Sequence, residues 1–370
     1  MKNIYRAIAT LVGTTIGAGI FGIPFVVSKI GFIPGILYLI ILGIFMLLLN
    51  LSYGELILRT PGDHQLTGYG NIYLGKFGRS LATLALFISL YGALLAYLIK
   101  IGEFLALIFG LDEPILFSVL FFIWAGIAIY LGLRAVSVLE VLIVVFLLGL
   151  IFLIGILGLG RIEPANFSGM DLSFLFLPYG VILFALSGSA VIPEMEEILR
   201  NEHHNLKKSI IIGSLIPLIV YILFVLVIVG ICGNFVSDDT ITNLPLFLPK
   251  WIVFLGATLA ILAMGSSFLS LGYVLREVWF RDFKFSKFSG FILACFPSLV
   301  LFLAGAKSFI GILGITGAAA GGLTGILILI LSQKVKKTGK QEPAYSLNLS
   351  KFFIFILFLM FLVGMISPFI

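Results

Sequence analysis

The chain has 370 residues, of which 61% are hydrophobic and 11% are charged, and its mean hydropathy is +1.23. Soluble domains carry about 25% charged residues, so this composition excludes an ordinary soluble protein and indicates one that crosses a membrane many times. We interpret the net charge of +6 as a sign of membrane topology and not of nucleic-acid binding. The two cysteines lie in apolar stretches and predict neither a disulfide framework nor a metal site.

Apolar stretches of about 20 residues, separated by polar segments, predict eleven membrane-spanning helices, numbered here as spans 1 to 11. The connections are short apart from residues 60–79, so we expect no separate soluble domain. In chain order the spans cover residues 5–29, 33–58, 80–109, 115–133, 138–160, 173–199, 208–232, 245–275, 287–304, 308–332 and 351–369.

Basic residues predict the orientation, because Lys and Arg collect in cytoplasmic loops. With the N-terminus in the cytoplasm, 18 of the 23 Lys and Arg residues lie on the cytoplasmic side and 5 lie outside. An odd number of spans then places the C-terminus outside. We therefore predict a multi-pass protein of the cell membrane, with a cytoplasmic N-terminus and an external C-terminus.

Span 1 contains the sequence GTTIGAGIFGIP, residues 13–24, which disfavours a continuous helix. Each Gly costs about 1 kcal/mol in a helix interior, and Pro removes a backbone donor. One interpretation is a glycine-rich helix that packs closely on its neighbours. The other is a break near the bilayer midplane, which frees backbone N–H and C=O groups and the ends of two half-helix dipoles. Secondary transporters build their substrate sites in this way.

Span 6 contains a second such sequence, FALSGSAVIPEMEEIL, residues 184–199. Because it lies five spans later, span 6 runs in the opposite direction to span 1, as an inverted repeat of five helices requires. Helical rise also places both sequences near the same depth. The pair favours two breaks, and it predicts one repeat over residues 1–160, a second over 173–332, and an added span over 351–369.

Several segments resemble the amino acid–polyamine–organocation superfamily, and more narrowly its aromatic and neutral amino acid permease branch. The resemblance implies an all-α LeuT-type fold with discontinuous helices 1 and 6, and secondary active transport of amino acids. The superfamily usually has around twelve helices, whereas this chain has eleven predicted spans. The segments are GTTIGAGIFGIPF at 13–25, GELILRTPG at 54–62, GYGNIYLGKFG at 68–78, FALSGSAVIPEMEEILRN at 184–201 and GSSFLSLGYVLREVWFRD at 265–282.

The two breaks predict a site for a zwitterion. Backbone N–H groups at the start of the outer half of span 1 can bind a carboxylate, and the glycines let the ligand approach the backbone. Carbonyls that end the opposing half-helices can accept hydrogen bonds from an ammonium group. An α-amino acid carries both groups, and the resemblance implies the same substrate. The candidate residues are Thr15, Ile16, Gly17, Ala18, Gly19, Ile20, Tyr91, Phe184, Ala185, Leu186, Ser187 and Gly188.

Two of these candidates have a second interpretation that the sequence leaves open. Tyr91 lies midway along span 3, which adjoins the central site in LeuT-type proteins. Its phenol is either a carboxylate ligand or an ordinary buried hydroxyl bonded to a neighbouring helix. Phe184 adjoins the span 6 break and is either a wall of the side-chain pocket or one of many packing residues among the 36 phenylalanines.

Span 8 carries a candidate ion site. In sodium-coupled LeuT-type carriers a carbonyl and two hydroxyls at +3 and +4 on this helix bind Na⁺. Ala263, Ser266 and Ser267 match that spacing, and the resemblance implies carbonyls near Gly13 and Ile16 as partners. Oxygen ligands suit a small hard cation, although serines in membrane helices also bond their own backbone.

Proton coupling is the alternative to sodium coupling. A proton-coupled relative places a Lys ammonium from span 5 at the ion position, and residues 138–160 contain no Lys. We therefore favour Na⁺ and keep H⁺ as the alternative. Glu194, next to Pro193 beyond the span 6 break, is the candidate for a protonatable or gating carboxylate, with a simple helix-end role as the other interpretation.

Other functions are less well supported by the sequence. An intramembrane enzyme needs paired acids, a Ser/His pair or a metal cluster, but His64, His203 and His204 all lie in predicted loops. A channel needs a repeated filter motif or a charged ring, and neither is found. An amine or polyamine carrier needs an acidic residue near the midplane. We expect a small-molecule substrate and a lipid bilayer as partners, and no cofactor or nucleic acid; the amino acid and the oligomeric state stay open.

Overall fold

The computed structural model describes residues 3–132 and 137–366, and these ranges form helices without a β-strand. The all-α class is confirmed. The α-helices are α1 (Asn3–Thr15), α2 (Gly19–Ile30), α3 (Phe32–Leu58), α4 (Leu66–Phe109), α5 (Pro114–Leu131), α6 (Ser137–Gly158), α7 (Leu177–Ala185), α8 (Ile192–Ile198), α9 (Leu206–Cys232), α10 (Lys250–Glu277), α11 (Lys287–Leu303), α12 (Phe309–Thr316), α13 (Gly322–Thr338) and α14 (Lys351–Ile366).

Seven of the described helices are long and apolar enough to cross a membrane, and the bent pair α1 and α2 adds an eighth. Shorter apolar helices cover parts of predicted spans 5, 9 and 11, namely Val145–Gly158, Lys287–Leu303 and Lys351–Ile366. A multi-pass membrane protein is therefore shown. The count of eleven spans and the repeat boundaries 1–160 and 173–332 stay predictions.

Span 1 is broken, as the glycine-rich motif predicts. The helix stops at Thr15, restarts at Gly19 and changes direction by 55°. The Gly17 N–H donates to the carbonyl of Thr15, only two residues earlier, at 3.0 Å, which is incompatible with a helix. The break is shorter than the motif, because Gly13 continues α1 and Pro24 lies inside α2.

Span 6 is interrupted as well. Helix α7 ends at Ala185, three non-helical residues follow, and a 3₁₀ turn over Ser189–Val191 leads into α8. Pro193 lies in the first turn of α8, where a missing N–H costs no helical hydrogen bond. This proline therefore starts the second half-helix.

The half-helices of the two broken spans pair with each other. Helix α2 packs on α7 and α1 packs on α8, as antiparallel spans require, while α9 contacts both halves of span 1. Helix α4 packs against α5, α10, α11, α12 and α13. A Cβ atom at Gly180 of α7 would lie 2.0 Å from the Gly314 carbonyl oxygen of α12, so these helices are in backbone contact.

The connection between spans 2 and 3 differs from the expected loop over residues 60–79. Helix α4 begins at Leu66 and is kinked at Gly75, whose φ of 66° and ψ of −154° are not helical. Glycine tolerates a positive φ because it has no Cβ. Residues 66–74 thus form a short helix that turns at Gly75 into span 3, a local arrangement that an apolar-length criterion does not detect.

A segment between α13 and α14, residues 339–350, is anchored on the buried carboxylate of Glu55 in α3. The Glu55 oxygens accept hydrogen bonds from Arg59 Nε at 2.9 Å, Ser346 Oγ at 2.9 Å and the Leu347 N–H at 3.0 Å. Glu55 and Arg59 lie one helical turn apart and form an ion pair. The hydroxyl of Tyr345 also donates to the Leu51 carbonyl at 2.7 Å. One carboxylate therefore joins α3 to the segment between α13 and α14.

We predict that Glu55→Ala destabilises the protein by about 3 kcal/mol, because it leaves Arg59 and the Leu347 N–H without a buried acceptor. Thermal unfolding of the purified protein measures the effect, and Glu113→Ala, which changes an exposed residue at the start of α5, is the control. An unfolding midpoint for Glu55→Ala equal to that of the control would contradict the prediction.

Candidate substrate site between two broken helices

The two breaks are in direct contact. A Cβ atom at Gly19, the first residue of α2, would lie 2.5 Å from the Cβ of Ala185 and 2.6 Å from its Cα. Real Cβ atoms do not approach other atoms so closely, so only glycine fits at position 19. The breaks therefore lie at the same level, as their positions in the sequence predict.

The span 1 break offers a backbone donor. Within residues 3–132 and 137–366, the Ala18 N–H donates no backbone hydrogen bond. It precedes α2, whose first N–H groups carry the positive end of the helix dipole. Ile16, Ala18 and Ile20 have buried side chains, whereas Gly17 is half-buried. A Cβ atom at Gly17 would meet only the Tyr97 hydroxyl, at 3.8 Å. The open side of the break thus faces Tyr97.

The carbonyl ends of α1 and α7 meet at a residue that the sequence interpretation missed. The hydroxyl oxygen of Tyr221, in the middle of α9, lies 2.7 Å from the Thr15 carbonyl oxygen and 3.0 Å from the Ala185 carbonyl oxygen. Tyr221 is fully buried. The available signal was a single phenol in the otherwise apolar stretch 215–232, but the sequence does not show which helix it faces.

The other span 6 candidates form the turn after α7. The Ser187 N–H donates to the Phe184 carbonyl at 3.1 Å, and the Ser187 hydroxyl donates to the Leu183 carbonyl at 2.7 Å. Phe184 is half-buried. A Cβ atom at Gly188 would lie 2.6 Å from Thr15 Oγ1, so this glycine lets α1 approach the turn. Leu186 is buried and its N–H bonds within the last turn of α7.

The structure places Tyr91 away from this arrangement. Its hydroxyl donates to the Leu293 carbonyl of α11 at 2.5 Å and accepts a hydrogen bond from Trp279 Nε1 at 3.0 Å. This geometry corresponds to the second of the two interpretations, a hydroxyl bonded to a neighbouring helix, although Tyr91 is only half-buried. Tyr97 takes the position expected of Tyr91, because it faces Gly17 and is hydrogen-bonded to Ser267 of α10. The two tyrosines are six residues apart and so lie on different faces of α4.

The candidate ion ligands bond within the protein. The Ser266 hydroxyl donates to the Ala263 carbonyl at 3.0 Å, and Ser267 is hydrogen-bonded to Tyr97. Gly13 is half-buried, with nothing within 4 Å of a Cβ placed on it, and Ile16 is buried. The oxygen atoms are of the kind that a hard cation prefers. Their role as ligands stays a prediction.

Glu194 lies in the first turn of α8 and is exposed. A carboxylate there interacts favourably with the positive end of the helix dipole, which is the helix-end interpretation. Its role in gating or proton transfer stays a prediction. The described residues contain no cluster of His, Cys, Asp and Glu that could hold a metal ion.

A loop between α9 and α10, residues 236–244, covers α2, the second half of span 1. The buried Thr240 donates to the Phe21 carbonyl of α2. The neighbouring acids pair with Lys100 of α4, whose Nζ lies 3.1 Å from Asp238 Oδ1, 3.5 Å from Asp239 Oδ2 and 5.1 Å from the centre of the Phe309 ring. Lys100 is almost completely buried. The loop therefore ties α2 to α4 and α12 on this side of the breaks.

Asp239 is suited to stay charged in this buried loop. Burial acts to raise its pKa, but the Lys100 charge and hydrogen bonds from Thr242 and Ser237 outweigh it and hold the pKa below the usual range. A lowered folded-state pKa contributes stability above the unfolded pKa, and this stability is lost as pH falls through the folded value. The loop contact is thus stable at neutral pH and weakens only in strong acid.

Fold and site together define the class of protein: a helical membrane protein of LeuT-type fold, built around two broken helices. MhsT in complex with L-phenylalanine superimposes on the chain with a TM-score of 0.71 at 14% identity, over 98% of each chain. The chain belongs to the tryptophan/tyrosine permease family, whose profile matches residues 1–368.

Two curated relatives illustrate the range of the similarity. A low affinity tryptophan permease of Proteus vulgaris is 25% identical over 344 residues, which are 83% of this chain and 81% of the relative. A glutamine transporter of Aliivibrio fischeri is 23% identical over 236 residues, which are 62% of this chain and 61% of the relative. The second match thus spans less than two thirds of either protein.

We predict different effects for the two glycines of the break. Gly19→Ala should destabilise the protein by about 1–3 kcal/mol, because the new methyl group overlaps the Ala185 backbone. Gly17→Ala should unfold at the wild-type temperature, because its methyl group meets only the Tyr97 hydroxyl at an ordinary distance. Thermal unfolding of both purified variants tests the contrast, and equal midpoints would contradict it.

Proposed function

We propose that this protein is a secondary transporter that moves a neutral or aromatic amino acid across the cell membrane together with an ion. The observation that carries the proposal is the contact between the two breaks. It brings the free N–H of Ala18 and the carbonyls of Thr15 and Ala185 into one small region. Donors for an anion and acceptors for a cation then lie side by side, as a zwitterion requires.

The carboxylate of the substrate is expected at the start of α2. The Ala18 N–H and the positive end of the α2 dipole are oriented for an anion, and the absence of a side chain at Gly17 leaves the backbone accessible. The Tyr97 hydroxyl, on the open side of Gly17, is a second possible donor to the carboxylate. The role first assigned to Tyr91 thus passes to Tyr97 in this proposal.

The side-chain preference follows from the relatives and the composition of the site. The relatives are named for tryptophan and glutamine, and MhsT was solved with phenylalanine. Residues 13–20 and 184–188 contain no acidic side chain, so the site holds no counter-charge for an amine or polyamine lacking a carboxylate. These observations favour a neutral or aromatic amino acid. A thermal-shift screen of the twenty amino acids identifies the ligand, because a ligand at a hundredfold its Kd stabilises by about 2.7 kcal/mol.

Sodium is the coupling ion that we propose, with Gly13, Ile16, Ala263, Ser266 and Ser267 as its ligands. The oxygen donors suit Na⁺, but Ser266 and Ser267 have to exchange their present hydrogen bonds for the ion. Such an exchange would draw α10 toward α1. If Na⁺ favours the binding-competent arrangement, it tightens substrate binding by some factor. Substrate must then tighten Na⁺ binding by the same factor. Proton coupling through Glu194 is the alternative.

We predict that a Na⁺ gradient alone drives uptake of the amino acid into liposomes that contain the purified protein. The double substitution Ser266→Ala and Ser267→Ala should abolish the Na⁺ dependence of uptake. It should have a much smaller effect on the affinity for substrate at saturating Na⁺. Separate Na⁺ and H⁺ gradients are imposed, with Thr258→Ala, at an exposed site of α10, as the control. Uptake driven by a proton gradient in Na⁺-free buffer would exclude sodium coupling and make Glu194 the next residue to test.

We also propose that the N-terminus is cytoplasmic and the C-terminus external, on the strength of the 18-to-5 distribution of basic residues. A cysteine added before Lys2 should resist a membrane-impermeant thiol reagent in intact cells, whereas one added after Ile370 should react. The native cysteines, Cys232 and Cys295, are both buried and contribute little background. The opposite labelling pattern would reverse the topology.

A further inference from the structure

The Tyr221 hydroxyl has more acceptors than hydrogens. Thr15 is the last residue of α1 and Ala185 is the last residue of α7, so each carbonyl carries the negative end of a half-helix dipole. The phenol oxygen lies 2.7 Å from one and 3.0 Å from the other. A phenol has one hydrogen, so it serves one carbonyl at a time. One of two electronegative carbonyls is always left without the Tyr221 hydrogen.

The two possible positions of the hydrogen are not equivalent. The Thr15 carbonyl already accepts from the Gly17 N–H at 3.0 Å, so a hydrogen from Tyr221 occupies its second lone pair. When the phenol donates to Thr15, the Ala185 carbonyl is the open acceptor. When it donates to Ala185, one lone pair of Thr15 is open instead. The phenol oxygen also keeps an acceptor lone pair in either case.

From this geometry we propose that Tyr221 is the positioning residue for recognition of the substrate ammonium group, an inference that rests on the proposed function. Tyr221 holds two carbonyls from different spans against one oxygen, and a primary ammonium supplies the N–H donors that the single hydroxyl lacks. The ammonium takes the carbonyl that the hydroxyl leaves open. The hydroxyl thus prepares a site that selects a group with charge and N–H donors together.

Tyr221→Phe removes this preparation with little change in shape, because the ring remains. Without the hydroxyl the two carbonyls face each other with no shared donor to hold them in position for an ammonium group. A ligand with an ammonium group then loses its prepared acceptors, whereas a ligand without one loses nothing. This difference separates a role in recognition from a role in stability, which would affect both ligands alike.

The test is equilibrium binding to the purified full chain in detergent, with two matched pairs of probes. L-Tryptophan is compared with 3-(indol-3-yl)propanoate and L-phenylalanine with 3-phenylpropanoate, each pair differing only in the amino group. For whichever of the two amino acids the wild-type protein binds, we expect Tyr221→Phe to raise the Kd at least tenfold. The Kd of the matching acid that lacks the amino group should change less than twofold. Tyr53→Phe, which removes another buried phenol in α3, is the control and should change neither.

Several outcomes would overturn the inference. If Tyr221→Phe weakens binding of both ligands equally, the hydroxyl contributes only to stability. If it weakens binding of neither ligand, the hydroxyl has no role in recognition. Wild-type protein that binds none of the twenty amino acids would overturn the proposed function and the inference with it. If the variant does not fold, the N,N,N-trimethyl betaine of the bound amino acid decides, since it keeps the charge without N–H donors. Wild-type binding of that betaine equal to the amino acid would also overturn the inference.

Discussion

A break in a membrane helix frees polar backbone groups at a depth where no lipid group can pair with them, and most of this structure can be understood as the way those groups are covered. The breaks after Thr15 and Ala185 lie against each other, and Gly19 allows their backbones to touch. The Tyr221 hydroxyl lies between the two carbonyl ends. Each break thus makes the other possible, since either alone would leave half-helix ends without a partner.

The surroundings of the breaks are organised by close approach and by buried charge. Gly180 brings α7, the first half of span 6, into backbone contact with α12. The loop over residues 236–244 ties α2 to α4 through Lys100 and Asp239, whose opposite charges compensate each other's burial. On the other side of the breaks, Glu55 anchors the segment between α13 and α14. The breaks are therefore enclosed by buried polar contacts, and the Ala18 N–H donates no hydrogen bond within the described residues.

The site expected from the sequence and the site in the structure differ most in which face of a helix points toward the breaks. The family resemblance placed span 3 beside the central site and made Tyr91 a candidate with two open interpretations, whereas the tyrosine that faces Gly17 is Tyr97. Sequence patterns also assigned Gly17 and Gly19 to one role, whereas the structure separates the two by packing. A Cβ atom at Gly19 would overlap Ala185, and one at Gly17 would meet only the Tyr97 hydroxyl. Tyr221 was not identified, because nothing in an apolar stretch shows where a single phenol points. Length criteria likewise left residues 66–74 as a loop, since a short helix before Gly75 does not cross a membrane.

The sequence by itself determined the class, the two breaks, their relative direction and their common depth. These depend on hydropathy, on the helical cost of glycine and proline, and on counting spans, and all three are local or additive along the chain. Only the tertiary structure decided which side chains converge on the breaks. Rotation of each helix about its axis sets that choice, and rotation depends on packing between spans that are distant in sequence, such as α9 against α1 and α7 against α12. The Tyr221 contact is such a case, because it joins residues 206 and 36 positions apart.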